Sequence, residues 1–239
     1  MLEGIMIMAV GFKPGELRET IRIWSLEGVK LHITEVPDLG CFWERWSAHE
    51  HVDVLAIRLY GEPHNVARIL ELGSITQYKY ADQLPLIMVA DHSGWVECAY
   101  EVGASGLLLY PIDENRLTNT MNMIKARAAT RRKTQIVYQK NRIWYSHKAK
   151  TICWINYQPP TSKLHLCDTG KTIEIDSCEY DAETYQGFAL IQPHIIVNMA
   201  RVLSVAGRWV VLDNSSRTRL PIQRDRVRAV MEAYRQYWR

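Results

Sequence analysis

Near the carboxy terminus five arginines fall within about a dozen residues: Arg217, Arg219, Arg224, Arg226 and Arg228. Guanidinium groups at this density suit a polyanion, because each can neutralise one phosphate; a solvated basic face would look the same. A second basic run, Arg131-Arg132-Lys133, either touches phosphate or forms a hydrated connector. One more cation is out of place: Arg58 sits near the end of an otherwise apolar run, VDVLAIRL, that also carries Asp53. The remaining reactive residues are dispersed. The eight histidines are never at metal-ligand spacing, although a site assembled by the fold from His147, His165 and His194 stays open. Cys41, Cys98, Cys153, Cys167 and Cys178 form no C-x-x-C pair and are odd in number, which predicts buried thiols in a reducing cytoplasm rather than disulfides. No phosphate-loop, dinucleotide, nucleophile-elbow or zinc-protease motif occurs, so the expectation is a non-enzymatic protein without metal or cofactor.

The elements that would position these groups divide the chain in two. Residues 1–130 hold 11 Lys+Arg against 17 Asp+Glu, and residues 131–239 hold 18 against 9, so an acidic half precedes a basic one. No apolar run approaches the roughly 20 residues that cross a bilayer. The opening MLEGIMIMAVGF lacks a basic leader and is ended by Lys13 and Pro14, which predicts a buried strand instead of a signal peptide.

In the first half, short apolar runs alternate with segments of helical spacing. Strands are predicted at 5–10, 29–36, 52–59, 85–90 and 106–109, and helices at 15–26, 42–48, 65–72, 95–102 and 113–129. Five strands alternating with helices imply a doubly wound parallel sheet covered on both faces. The segments DVLAIRLYGEP (53–63) and PLIMVADHSGWVECAYEVGASGLLLYPID (85–113) resemble the receiver domains of response regulators, a flavodoxin-like fold. The resemblance implies acidic residues after the first strand, a phospho-acceptor Asp ending the third, a Ser/Thr after the fourth and a Lys after the fifth. Here residues 4–15 contain no acid, and Arg58, Ala90 and Tyr110 hold the other three positions. That implies a pseudo-receiver, residues 1–129, which cannot take a phosphoryl group. Arg58 then either occupies the pocket as a fixed cation and binds an anion, or pairs with a nearby carboxylate such as Glu62 or Asp91. Tyr110 is either a packed aromatic or a switch. The family's dimerising face, built from its fourth and fifth strands and helices, would include Trp95, Arg116 and Lys125.

After a connector at 130–136 the periodicity shortens. Extended segments are predicted at 142–145, 151–157, 162–167, 171–175, 195–197, 201–205, 209–212 and 219–222, separated by turns at Pro159-Pro160, 168–170, Gly207 and 213–216, with helices only at 181–186 and 225–238. ICWINY (152–157), HLCDTGKTIEI (165–175), FALIQPHIIVN (188–198) and LPIQRDRV (220–227) resemble, in this order, a LytTR DNA-binding domain, which implies an all-β module with a terminal helix over 137–239. By that resemblance Arg224 would read guanine, or else pair with Asp225; Lys163 and Ser162 lie near a hairpin contact; and Gln192 and His194 replace the family's His-Arg-Ser, Gln192 suited to adenine and His194 equally suited to a structural role. Arg226, with Arg217, Arg219 and Arg228, would contact phosphate. The expectation is a cytoplasmic homodimer that binds promoter repeats in double-stranded DNA independently of Asp phosphorylation and away from membranes. The competing readings are a protein–protein adaptor and a sensor of an anionic ligand at Arg58.

Overall fold

A computed structural model describes residues 4–17, 21–22, 30–61, 84–158, 161–178 and 187–238. They form two compact units, 1–131 and 132–239. The helix expected at 65–72, most of that at 15–26 and that at 181–186 lie outside the described residues, as do Glu62 and the Pro159-Pro160 turn.

In the first unit, β1 (Ile5–Val10), β2 (Leu31–Val36), β3 (Val54–Leu59), β4 (Leu86–Ala90) and β5 (Gly106–Leu109) pair in the order β2-β1-β3-β4-β5, parallel throughout. The crossovers demanded by parallel pairing place helices on both faces. α1 (Leu39–Ser47) starts where the Asp38 carboxylate accepts the Cys41 N–H at 2.8 Å, and it buries Phe42 with Trp43 and Trp46 packed against it. α2 (Val96–Glu101) buries Cys98 and Ala99 in the same apolar layer. α3 (Glu114–Arg132) buries Leu117, Met121 and Ile124 on the opposite face with Leu17 and Ile21. α3 can approach β5 because Gly106 has no side chain: a Cβ there would lie 2.8 Å from the Thr120 methyl. This is the doubly wound α/β fold that the alternation predicts.

The basic run at the end of α3 is corrected in part. Arg131 is 6% exposed, donates to the Val52 carbonyl at 2.6 Å and lies over the Trp46 ring, so it is an anchor and not a phosphate contact. The expected connector is also shorter. α3 runs to Arg132 and β6 (Gln135–Lys140) begins three residues later, pairing with β7 (Ile143–Lys148). Ile136 and Tyr138, three and five residues beyond Lys133, are core residues of the second unit.

The second unit is β-rich with one terminal helix. A central antiparallel sheet has the order β10 (Thr172–Ile175), β9 (Ser162–Leu166), β8 (Ile152–Asn156), β13 (Ile195–Asn198), β12 (Phe188–Gln192). Ile155 and Leu164 on one face pack with Ile136 and Tyr138 of the sheet made by β6, β7 and β11 (Ser177–Cys178). On the other face Ile191 and Val197 meet Val210, Leu212 and Val230, from the sheet of β14 (Val202–Ala206), β15 (Trp209–Leu212) and β16 (Arg219–Pro221) and from α4 (Val227–Tyr237).

The cysteine expectation is corrected here: Cys153 and Cys167 are joined as a disulfide, with Cα atoms 5.1 Å apart, and Cys41, Cys98 and Cys178 remain thiols. The β8–β9 register shifts between Ile152 and Trp154, so Cys153 is the extra residue of a bulge that turns it toward Cys167 on the neighbouring chain segment. A spacing of 14 residues carried no sign of this, because pairing depends on the register of two strands.

Candidate nucleic-acid interface and the Arg58 pocket

At the carboxy-terminal end of the parallel sheet, β3 delivers Arg58 into the place where the resemblance puts a phospho-acceptor. Its side chain is 5% exposed, and the guanidinium donates in three directions. Nε donates to Glu16 Oε1 at 2.9 Å, Nη1 to the carbonyls of Leu59 at 2.9 Å and Val89 at 3.2 Å, and Nη2 to Asp91 Oδ1. The rings of Tyr60 and Tyr110 lie 4.4 and 4.6 Å from the cation. Ala90, fully buried at the end of β4, offers only its backbone, accepting the Tyr110 N–H at 3.0 Å.

Glu16 is the acid that the window 4–15 stops one residue short of. Gly15, at φ +79°, lets the chain turn Glu16 back over the strand ends. Burial would raise the Glu16 carboxyl, but the Lys13 N–H, Arg58 and the Tyr60 hydroxyl outweigh it and hold it below the usual range. Arg58 is desolvated, yet its two carboxylate partners push its pKa above the ordinary guanidinium value. Nearby, the Gly61 carbonyl is held by the Trp95 indole N–H at 3.1 Å and His92 Nε2 at 3.0 Å. Trp95 is 1% exposed, which removes it from the expected dimerising face; Tyr100, 86% exposed, and Val96 stand there instead. With Leu107, Leu109 and Arg116 they line a shallow apolar groove. Lys125 is exposed on α3.

In the second unit the strand registers decide which sequence-predicted residues meet. Asn156 of β8 pairs with Lys163 on one side and Ile195 on the other, and the His194 carbonyl accepts the Tyr157 N–H at 2.6 Å. Lys163 and His194 are thus at the same end of the central sheet, two strand spacings or about 10 Å apart. Lys163 is exposed and makes a loose ion pair with Glu174 at 3.5 Å. The Gln192 carboxamide donates to the Pro221 carbonyl at 2.8 Å, and the Gln223 N–H to the Ile191 carbonyl at 2.9 Å. These two bonds tie the β12–β13 turn to the segment that carries Arg224, which is exposed at the head of a short 3-10 turn before α4.

Other candidates lie elsewhere. Ser162 is 7% exposed and turned into the module, so it is corrected from a contact residue to a core one. Arg226 is half-buried with its Nε shielded from solvent, and Arg228 is bound to Glu232 at 3.2 Å. Arg219 pairs with Val211 and Arg217 sits in the β15–β16 turn at φ +45°, both toward the far end of that sheet. His165 stacks on Trp154 at 3.9 Å with Thr172 Oγ1 2.9 Å from its Nδ1; burial, aided by Lys163, lowers its pKa to about 4. Among the described residues no group of three or more His, Cys, Asp or Glu could hold a metal ion, and no helix is long and apolar enough to cross a membrane.

Sequence reasoning missed Glu16 and Tyr60 in the first unit and Arg208 and Trp209 in the second. The Ile222 N–H donates to the Arg208 carbonyl at 2.8 Å and Trp209 pairs with Pro221, which sets the β14–β15 turn beside Arg224. Gly207 marked the turn, but only the pairing shows what lies next to it.

No family model and no curated protein matches the sequence. Among solved structures, the first unit is similar to a pilus assembly-related protein from Burkholderia pseudomallei (18% identity, 53% of this chain and 93% of that one, TM-score 0.42). It is likewise similar to a signal receiver domain of a two-component histidine kinase from Clostridium thermocellum (18% identity, 52% and 98%, TM-score 0.41). A further likeness is to a LytTr DNA-binding domain of a methyl-accepting/DNA response regulator from Bacillus cereus (8% identity, 42% and 95%, TM-score 0.32). The strand orders themselves establish the architecture: a doubly wound parallel sheet, then a β-rich module closed by a helix.

Proposed function

We propose that the chain is a sequence-specific regulator of transcription that binds double-stranded DNA through its second unit. It works in the cytoplasm as a homodimer on promoter repeats, without Asp phosphorylation of its first unit. The observation that carries the reading is the gathering of Lys163, Gln192, His194 and Arg224 at one end of the β module. A cation and an amide acceptor–donor at a single end are the groups that read guanine and adenine in a major groove. The net positive charge of residues 131–239 supplies the salt-sensitive attraction to phosphate. In the first unit, Arg58 is held by Glu16 and Asp91, so both carboxylates serve a resident guanidinium where a phosphorylated receiver would need a divalent cation. The groove at Val96, Tyr100 and Leu107 suits a second copy of the chain.

Arg224→Ala tests the reading. Binding to a duplex selected by the wild-type chain weakens by about 1–3 kcal/mol and base preference relaxes at one position. An unchanged footprint removes Arg224 from the interface.

A further inference from the structure

The exposed face of the β14–β15–β16 sheet joins the basic end of the module. Ala206, Trp209 and Pro221 lie in one register row, so they share a face, and Trp209 is 49% exposed. Ahead of Trp209, Gly207 at φ +58° and Arg208 form a two-residue turn, the tight connection that fixes where the next side chains stand. The turn is tied to the recognition segment: Ile222 N–H donates to the Arg208 carbonyl, and Arg224 follows two residues later. A chain of backbone and amide bonds therefore runs from the β14–β15 turn through Pro221–Gln223 to Gln192.

The arginines of this unit differ in what engages them. Arg201 is held by the Lys150 carbonyl at 2.7 Å and by Asp168, and Arg228 by Glu232. Arg208 is exposed with no ion pair among the described residues, and so is Arg224. A single exposed tryptophan is ordinary. A half-exposed indole next in sequence to one such guanidinium, on a turn bonded to the segment that carries the other, is a composite surface of cation and flat apolar ring.

We infer that Arg208 and Trp209 form a second contact with the same duplex that Arg224 reads, Arg208 on a backbone phosphate and the Trp209 ring against the adjoining deoxyriboses. The contact rests on the DNA-binding reading above and adds to it the residues that set register on the backbone. Phosphate contacts of this kind position a reader without specifying sequence, so Arg208 governs affinity across all sequences while Arg224 governs preference.

The test uses the full chain and a labelled duplex enriched by the wild-type protein from a random-sequence pool, alongside an unselected duplex. Arg208→Gln should weaken binding to both duplexes alike and lower the slope of log K against log[salt] by about one. Trp209→Ala should weaken binding about tenfold, the loss typical of a well-packed aromatic at an interface. Both residues are exposed, so unchanged thermal melting verifies that the variants fold. If both variants match wild type in affinity and slope while Arg224→Ala loses preference, the second contact is wrong and the DNA-binding reading stands. If the wild-type chain enriches no duplex, the reading and the contact fall together.

Discussion

Arg58 shows how one side chain can fill a pocket. A guanidinium with carboxylates on two sides and carbonyls beneath is satisfied on every nitrogen, and a buried charge keeps its place only when it is so engaged. An anion entering this pocket would have to displace Glu16 and Asp91, which argues against the sensor reading. Acetyl phosphate with Mg²⁺ should accordingly leave DNA affinity unchanged in a titration, and Mg²⁺-dependent activation would overturn the proposed independence from phosphorylation. His165 makes a different prediction. Its folded pKa, lowered to about 4, means that the folded chain favours the neutral ring. The unfolded chain then binds more protons between the ordinary imidazole range and pH 4. The stability this contributes is fully present above that range and is lost as pH falls toward 4. Urea melts of the wild type should weaken across that window, and His165→Gln should flatten the dependence.

At the scale of elements, tight turns carry much of the register. The β6–β7 hairpin closes with Asn141 at φ +52° and Arg142 at φ +65°, the double left-handed conformation of a type I′ turn. Asparagine tolerates this; arginine is strained by its Cβ. Arg142→Gly should stabilise the second unit by about 1 kcal/mol, read from a shifted urea midpoint at constant m-value. The disulfide belongs to this scale too. It ties β8 to β9 at a bulge, and the same bulge sets the Trp154–His165 stack one residue on.

Across the whole molecule, charge and apolar surface are divided between the units. The first holds the net acidic half and an exposed apolar groove, the second the net basic half and the residues proposed to read DNA. On the proposed arrangement the groove joins two chains and the dimer presents two reading heads. Tyr100→Glu puts a charge into that groove at a position 86% exposed, where the monomer folds without it. Sedimentation should then show monomers, and affinity for a repeat-containing duplex should fall toward that for a single site. A variant that stays dimeric would move the interface elsewhere.

Local sequence was enough for most of the described elements, although β6 and β12 went unpredicted. The continuous apolar runs IMIMAV and PLIMVA read as strands buried on both faces, and the change to short extended segments after residue 135 marked the second unit. These follow from side-chain periodicity, which is a property of neighbouring residues. Pairing over distance was not legible. Glu16 reaches Arg58 across 42 residues, Cys153 meets Cys167 through a bulge, and Arg208 joins Gln192 and Arg224 only because β15 pairs with β16 and Gln192 with Pro221. Composition alone had already divided the acids from the bases; strand register and crossover decided which of those charges face one another, because a shift of one residue in a strand turns every side chain to the other face.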